Sequence, residues 1–248
     1  MTHQIPALAL VIPTYRETES LRGLLFELSA TKPPINHIVI VDDSEKGQSS
    51  KIALEFATAL NNNGIKLHVI SNYVKSGRGA AVRQGFTYLL DNFEVDYFIE
   101  MDADGSHNPK EISNLCSALK NGSFVIASRY ISGGQIIGWS ARRKIMSRFV
   151  NVLIQKLFKL SLKDCTNGFR AYKKESIEVL VEHNSLVNDF LYLSEQILVL
   201  RKRGIEAVEV PSLFINRTHG SSTVNSKVLI TAVLSLIRLK ALLYSRLR

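Results

Sequence analysis

What most restricts the fold of this chain is a regular exchange, through residues 7–130, of short Val- and Ile-rich runs with helix-length amphipathic stretches. The runs cover residues 7–12, 37–41, 66–71, 96–101 and 123–127, and each ends in polar residues. Between them, residues 18–30, 49–62, 79–91 and 109–120 are compatible with helices. Apolar runs of strand length alternating with helices predict an α/β fold, a mostly parallel sheet with flanking helices. Such sheets bind ligands at the carboxyl ends of their strands. Pro13-Thr14-Tyr15, Asp42-Asp43 and Asp102-Ala103-Asp104 follow the first, second and fourth runs, so they are expected on one rim.

Beyond Arg129 the pattern changes. Ser132-Gly133-Gly134 reads as a loop, and residues 141–160 as a cationic amphipathic helix. On a helical wheel Lys144, Arg148, Asn151, Gln155 and Lys159 form a polar stripe, while Arg143, Ser147 and Asn151 repeat every four residues beside it. A short strand is expected near residues 169–172, a helix near 189–203 and a strand near 207–210. The apolar stretch 228–237 makes about 15 Å of helix against about 30 Å of hydrocarbon, too short to span a bilayer.

Charge narrows the partners. The net charge is +9, and the segment from Ile112 to Lys163 holds nine Lys and Arg residues and no Asp or Glu. A second acid-free run from Pro211 onward carries Arg217, Lys227, Arg238, Lys240, Arg246 and Arg248. Excess charge gathered in two segments points to a polyanionic partner: phosphates or an anionic membrane surface. Nucleic acid is disfavoured, because aromatic residues are not interleaved for base stacking. Cys116 and Cys165 lack metal-ligand spacing and read as reduced thiols of a cytosolic protein. No secretory signal is visible at the N-terminus.

The strongest chemical signal is Asp102-Ala103-Asp104 at the end of a strand. Two carboxylates separated by one small residue suit a hard divalent cation such as Mg²⁺, which completes its shell with substrate phosphates. A leaving diphosphate would gain Lewis-acid stabilisation there. Lys75-Ser76-Gly77-Arg78-Gly79 is not a dinucleotide fingerprint, since it follows the third run and has Val82 at the last glycine position. It reads as a basic helix N-terminus near a pyrophosphate, or as a plain turn. Arg129, Arg143 and Ser147 are candidates for an anion site.

The order of these motifs resembles the family 2 glycosyltransferases of the GT-A, Rossmann-like fold, especially dolichyl- and polyprenyl-phosphate mannosyltransferases. The resemblance rests on Ile12-Pro13-Thr14-Tyr15-Arg16-Glu17, Val41-Asp42-Asp43-Ser44, Gly77-Arg78-Gly79, Asp102-Ala103-Asp104, Ser128-Arg129-Tyr130, residues 143–147 and 164–172, and Arg217-Thr218-His219-Gly220. It implies a GT-A domain over residues 1–225, with a nucleotide-sugar half over 7–130 and an acceptor half over 131–225, followed by a basic amphipathic helix over 226–248. Pro13, Tyr15, Glu17, Ile40 and Asp42 would line the nucleotide pocket, with Asp102, Ala103 and Asp104 at the sugar-nucleotide. Asp102, Asp104 and Ser106 would hold Mg²⁺ or Mn²⁺. Arg129 and Arg217 would face the donor diphosphate, and Arg143 with Ser147 the acceptor phosphate. Two departures stand out: Gly105 where the family often has an apolar residue, and Thr223 where it often has a lysine.

The implied activity is inverting transfer of a sugar, mannose from GDP-mannose, to a polyprenyl phosphate. The enzyme would sit peripherally on the cytoplasmic face of a membrane, with its cationic helices as interfacial contacts. Alternatives are another donor such as UDP-glucose, a hydroxyl acceptor with Asp43 or Asp189 as base, or a non-catalytic nucleotide-sugar-binding subunit.

Overall fold

The computed structural model describes residues 6–183, 185–187, 191–216, 236 and 240. A seven-stranded sheet runs through it, with the order β3-β2-β1-β4-β7-β5-β8. These strands are β1 (Leu8–Thr14), β2 (His37–Asp42), β3 (Lys66–Ser71), β4 (Tyr97–Glu100), β5 (Phe124–Ser128), β7 (Arg170–Lys173) and β8 (Ala207–Pro211). Pairing is parallel throughout except where β7 inserts antiparallel between β4 and β5. The mostly parallel sheet with flanking helices is therefore present. Because β7 and β8 enter the same sheet as β1–β5, the two sequence halves share one sheet.

The strands read as continuous apolar runs because both sheet faces are covered. In β1, Ala9 and Val11 face one core cluster and Leu8, Leu10 and Ile12 face the other. In β2 the same alternation sends Val39 and Val41 one way and Ile38 and Ile40 the other. The first face is covered by α4 (Arg78–Asn92), α7 (Lys174–Glu182) and α8 (Tyr192–Lys202), and the second by α1 (Glu19–Thr31) and α5 (Ile112–Ala118). Residues 49–62 form two helices, α2 (Gln48–Glu55) and α3 (Ala57–Asn62), that meet at Phe56. A small second sheet pairs β6 (Gln135–Ile137) with β9 (Leu213–Ile215) in parallel.

The expected cationic helix is α6 (Ala141–Phe158), with Ser140 accepting the Arg143 backbone N–H as its N-cap. Its orientation departs from the polar-stripe reading. Asn151, from the middle of that stripe, is buried, and its side chain bonds the Cys165 amide and Thr166 Oγ1. The solvent side carries Ile145, Phe149 and Val152 instead, with Arg142, Arg148 and Lys156 among them. A polar network docks this helix and frees part of its apolar face. Of the expected C-terminal helix over 226–248, Leu236 and Lys240 alone are described. Leu236 is buried in the core cluster that also holds Ile154.

Candidate active site

Parallel register brings the ends of β1 and β2 level, Thr14 opposite Asp42, and β4 delivers Asp102 and Asp104 to the same rim. A cleft of about 460 Å³ opens there. Its walls include Pro13, Tyr15, Glu17, Asp43, Lys75, Arg78 and Asp102–Asp104. The shared rim expected from the sequence is thus present, and it brings together Pro13, Tyr15, Glu17, Asp102, Ala103 and Asp104.

Two expected members of the nucleotide pocket lie elsewhere. Ile40 is fully buried in the core beneath α1, because mid-strand alternation points it into the sheet layer. Asp42 is also fully buried. Its Oδ1 accepts from the Ser44 amide, and its Oδ2 from the Ser50 amide and hydroxyl, so it pins the loop that leads into α2. Asp43 lines the cleft in its place, but its carboxylate is engaged too: Ser76 and Gly77 amides, Ser76 Oγ and Asn72 Nδ2 all donate to it. That grip fixes the turn before α4. Gly77 adopts φ +95°, a backbone conformation that favours glycine, and the helix starts at Arg78.

Arg78 is the residue that sequence reading undervalued. Its Nε donates to Asp102 Oδ1 at 2.7 Å, its Nη1 to Tyr192 Oη at 2.8 Å, and its Nη2 to the Gly168 carbonyl at 3.2 Å. A Cβ at Gly168 would meet the guanidinium at 2.3 Å, so any other residue there would displace Arg78 from this position. Below lies Glu100, fully buried, which accepts from Tyr192 Oη and faces Arg78 at 3.7 Å and Arg170 at 4.0 Å. Burial raises the Glu100 pKa against the pull of both arginines. Burial would likewise raise Asp102, but Arg78 and His107 outweigh it and hold that carboxyl far below the usual range. The Arg78 guanidinium is stabilised in return: burial opposes its charge, and Asp102, Tyr192 and Glu100 more than offset the penalty.

Asp102 gives Oδ1 to Arg78 and faces His107 Nε2 with Oδ2 at 3.3 Å, so both oxygens already have protein partners. Asp104 stands half-exposed in the cleft and accepts the Ser106 amide at 3.0 Å. The Ser106 hydroxyl is buried and has no hydrogen-bond partner among the described residues.

The arginines assigned to phosphates are dispersed. Arg129 is buried and forks onto Asp164, with Nε to Oδ2 at 2.7 Å and Nη2 to Oδ1 at 2.8 Å. Tyr130, Trp139 and Phe214 surround its guanidinium. It does not line the cleft at the strand ends; among the described residues the cations that do are Lys75 and Arg78. Lys75 Nζ lies 4.3 Å from the centre of the Tyr15 ring. Arg143 stacks on Trp139 at 3.9 Å and donates to Asn216 Oδ1, whereas the Ser147 hydroxyl accepts from Tyr130 Oη at 2.7 Å. Arg143 and Ser147 are thus engaged with different partners. Arg217, Asp189, His219 and Thr223 lie outside the described residues.

A Rossmann-like parallel sheet with one antiparallel insertion, an acidic strand end and a basic helix N-terminus around one cleft define a GT-A glycosyltransferase architecture. The chain belongs to glycosyl transferase family 2, whose sequence profile matches residues 9–181. Among its relatives is the polyprenol monophosphomannose synthase of Mycolicibacterium smegmatis, 35% identical over 216 residues, covering 86% of this chain and 78% of that protein. The undecaprenyl-phosphate mannosyltransferase of Micrococcus luteus is 29% identical over 228 residues, covering 92% and 91%. Among solved structures, the glucosyl-3-phosphoglycerate synthase of Mycobacterium tuberculosis with Mn²⁺, UDP-glucose and phosphoglyceric acid superposes with a TM-score of 0.65. That match covers 93% of this chain and 79% of that one at 14% identity, a likeness of fold.

Proposed function

We propose that this chain transfers mannose, with inversion, from a nucleotide-mannose to a polyprenyl phosphate at a membrane surface. The observation that carries this reading is the cleft at the strand ends, lined by Asp104 together with Lys75 and Arg78, in a chain whose relatives bear polyprenyl-phosphate mannosyltransferase names. A phosphate monoester has a second pKa of about 6 and is largely dianionic at pH 7. It attacks the anomeric carbon without a base, so the engagement of Asp43 by four donors costs this mechanism nothing. A hydroxyl acceptor would need a carboxylate free to take its proton, and Asp43 is held as a structural acceptor.

The protein's part is then to position and to stabilise charge. Tyr15 and Glu17 offer the nucleotide a wall, and Lys75 places positive charge where the leaving diphosphate develops its own, beside Arg78, whose charge is balanced by Asp102 and Glu100. Asp102 orients Arg78 through its hydrogen bond. The residues fit a hard divalent cation: Asp104 presents a carboxylate to the cleft, and the unpaired Ser106 hydroxyl adjoins it. Mg²⁺ or Mn²⁺ bound by these residues would supply Lewis-acid stabilisation of the leaving diphosphate. Arg143 remains the candidate for the acceptor phosphate, since the planar fork on Trp139 stands at the start of α6.

The exposed Ile145, Phe149 and Val152, with the basic residues among them, suit peripheral contact with an anionic membrane. No helix among the described residues is long and apolar enough to cross one. The deciding experiment incubates the protein with Mn²⁺ or Mg²⁺, a polyprenyl phosphate and separate nucleotide-sugars, and identifies the glycolipid. Mannolipid formed from GDP-mannose is expected. Product with UDP-glucose alone, or with a hydroxyl acceptor alone, overturns the reading.

A further inference from the structure

Arg143 sits in the first turn of α6, and contacts from outside that helix hold its guanidinium. It stacks on the Trp139 ring at 3.9 Å, and its Nη1 donates to Asn216 Oδ1 at 2.9 Å. An arginine side chain is long and samples many rotamers when free. A ring beneath its face and an acceptor oxygen at its edge together select one of them. The stack occupies a face of the guanidinium, whereas its hydrogen bonds lie in the plane, so the two contacts do not compete.

Asn216 is in turn fixed from two directions. Its backbone N–H donates to the Ile137 carbonyl at 2.9 Å and closes the end of the β6–β9 sheet. Gly138 follows with φ +80°, and a Cβ on it would stand 2.8 Å from the Asn216 Cβ. The turn from β6 into Trp139 and α6 is thus folded directly against Asn216. From the other direction, β9 is bonded to the loop that carries Asp104 and Ser106. The Ile215 amide donates to the Ser106 carbonyl at 3.0 Å, and His107 forms an antiparallel bridge with Phe214. The Phe214 ring meets His107 at 5.4 Å and Trp139 at 5.2 Å, edge-on in both cases. Further along the same segment, Glu111 accepts from Ser212 Oγ and the Leu213 amide. A short strand therefore joins the acidic loop of the cleft to the arginine assigned to the acceptor.

We propose that Asn216 is a positioning residue: it holds the Arg143 guanidinium on Trp139 and, through β9, in a set relation to the loop of Asp104 and Ser106. An in-line displacement needs the attacking oxygen and the leaving diphosphate aligned across the anomeric carbon. An arginine anchored by its own helix alone would leave that alignment to its rotamers. Bonded to β9, it takes its place from the donor side. The proposal rests on the reading of Arg143 as the acceptor ligand, yet the hold of Asn216 on Arg143 is measurable without any substrate.

Trp139 is the one tryptophan of the chain, so the intrinsic fluorescence of the full-length protein reports the stack. Arg143→Ala is expected to change the emission by uncovering the indole. Asn216→Ala, with Arg143 intact, is expected to change it in the same direction. Asn216→Asp keeps an accepting oxygen and should retain the parent spectrum. In the Arg143→Ala background, Asn216→Ala should add nothing. Circular dichroism checks that each variant is folded. In detergent, with GDP-mannose and a polyprenyl phosphate, Asn216→Ala is expected to raise the acceptor KM about ten-fold, the effect of one hydrogen bond to a charged group, and to leave the donor KM within about two-fold. The double variant should match Arg143→Ala. Parent-like emission in Asn216→Ala would overturn the proposal. So would acceptor losses that add in the double variant, because Asn216 would then act independently of Arg143. A parent protein that transfers nothing to polyprenyl phosphate would remove the acceptor reading, and the spectra would still decide whether Asn216 holds Arg143.

Discussion

Replacing Arg78 by Ala would take a cation from two carboxylates at once, Asp102 in the cleft and Glu100 beneath it, leaving His107 beside the first and Arg170 and Tyr192 beside the second. Removing one partner of a buried pair costs about 3 kcal/mol or more, and Arg78 is only 22% exposed. Arg78→Ala is therefore expected to lower the urea midpoint clearly and to depress turnover, while Arg78→Lys keeps the charge but loses the fork and recovers stability in part. An unchanged midpoint in Arg78→Ala would remove the network from this account. At Asp104 the expectation is the opposite: Asp104→Asn leaves the midpoint near that of the parent but abolishes metal-dependent turnover and weakens Mn²⁺ binding followed by spin resonance. The contrast shows what a sequence displays. Asp102-Ala103-Asp104 is a local pattern at a strand end and was legible. The partnership of Arg78 with Tyr192 spans 114 positions and that of Arg129 with Asp164 spans 35, and neither leaves a periodic trace. Arg129 reads in the sequence as a candidate anion ligand, and its pairing with Asp164 becomes visible only in the fold.

Elements were legible where hydrophobic period and burial coincide. The five strands of the first half fall within a few residues of their expected places, because strands covered on both faces are unbroken apolar runs. In α6 the period misled: its wheel predicts a polar stripe to solvent, and Asn151 from that stripe is buried by bonds to the Cys165 amide and Thr166. The three-residue strands β6 and β9 are too short to announce themselves. At the far end of the β2–β3 pair, His37 Nδ1 lies 3.1 Å from His68 Nε2, with Phe93 and Tyr88 packed beside the rings. One ring must donate and the other accept, so doubly charged rings cannot keep this contact. Burial lowers both pKa values below the ordinary 6.5, helped at His37 by His68 and Lys66 and at His68 by Lys66. The folded state thus favours neutral rings: their contribution is intact above about pH 6.5 and is lost as pH falls through that value toward the folded pKa. Urea midpoints measured between pH 7.5 and 5.5 are expected to fall, and His68→Phe should flatten that slope. A slope unaffected by His68→Phe would assign the pH dependence to other groups.

Across the whole molecule the two halves of the sequence do different work in one sheet. Strands β1, β2 and β4 assemble the donor cleft, and the acid-free segment supplies α6 with its mixed basic and apolar outer side. Two forces should then hold the protein to a bilayer, and they respond differently to salt. Each basic residue near an anionic surface contributes about 1 kcal/mol, screened over roughly 8 Å at physiological ionic strength. Burial of Ile145, Phe149 and Val152 among acyl chains contributes roughly 25 cal/mol per Å² and is not screened. Flotation with vesicles containing phosphatidylglycerol should therefore show strong binding at low salt that declines, but not to zero, at high salt. Ile145→Ser/Phe149→Ser should keep most of the low-salt binding and lose the salt-resistant remainder. Arg142→Ala/Lys156→Ala should do the reverse, sparing the remainder and flattening the salt dependence. Equal partition of the parent protein onto neutral and anionic vesicles at low salt would show that the charge asymmetry of this chain does not act on membranes, whatever its apolar side chains do.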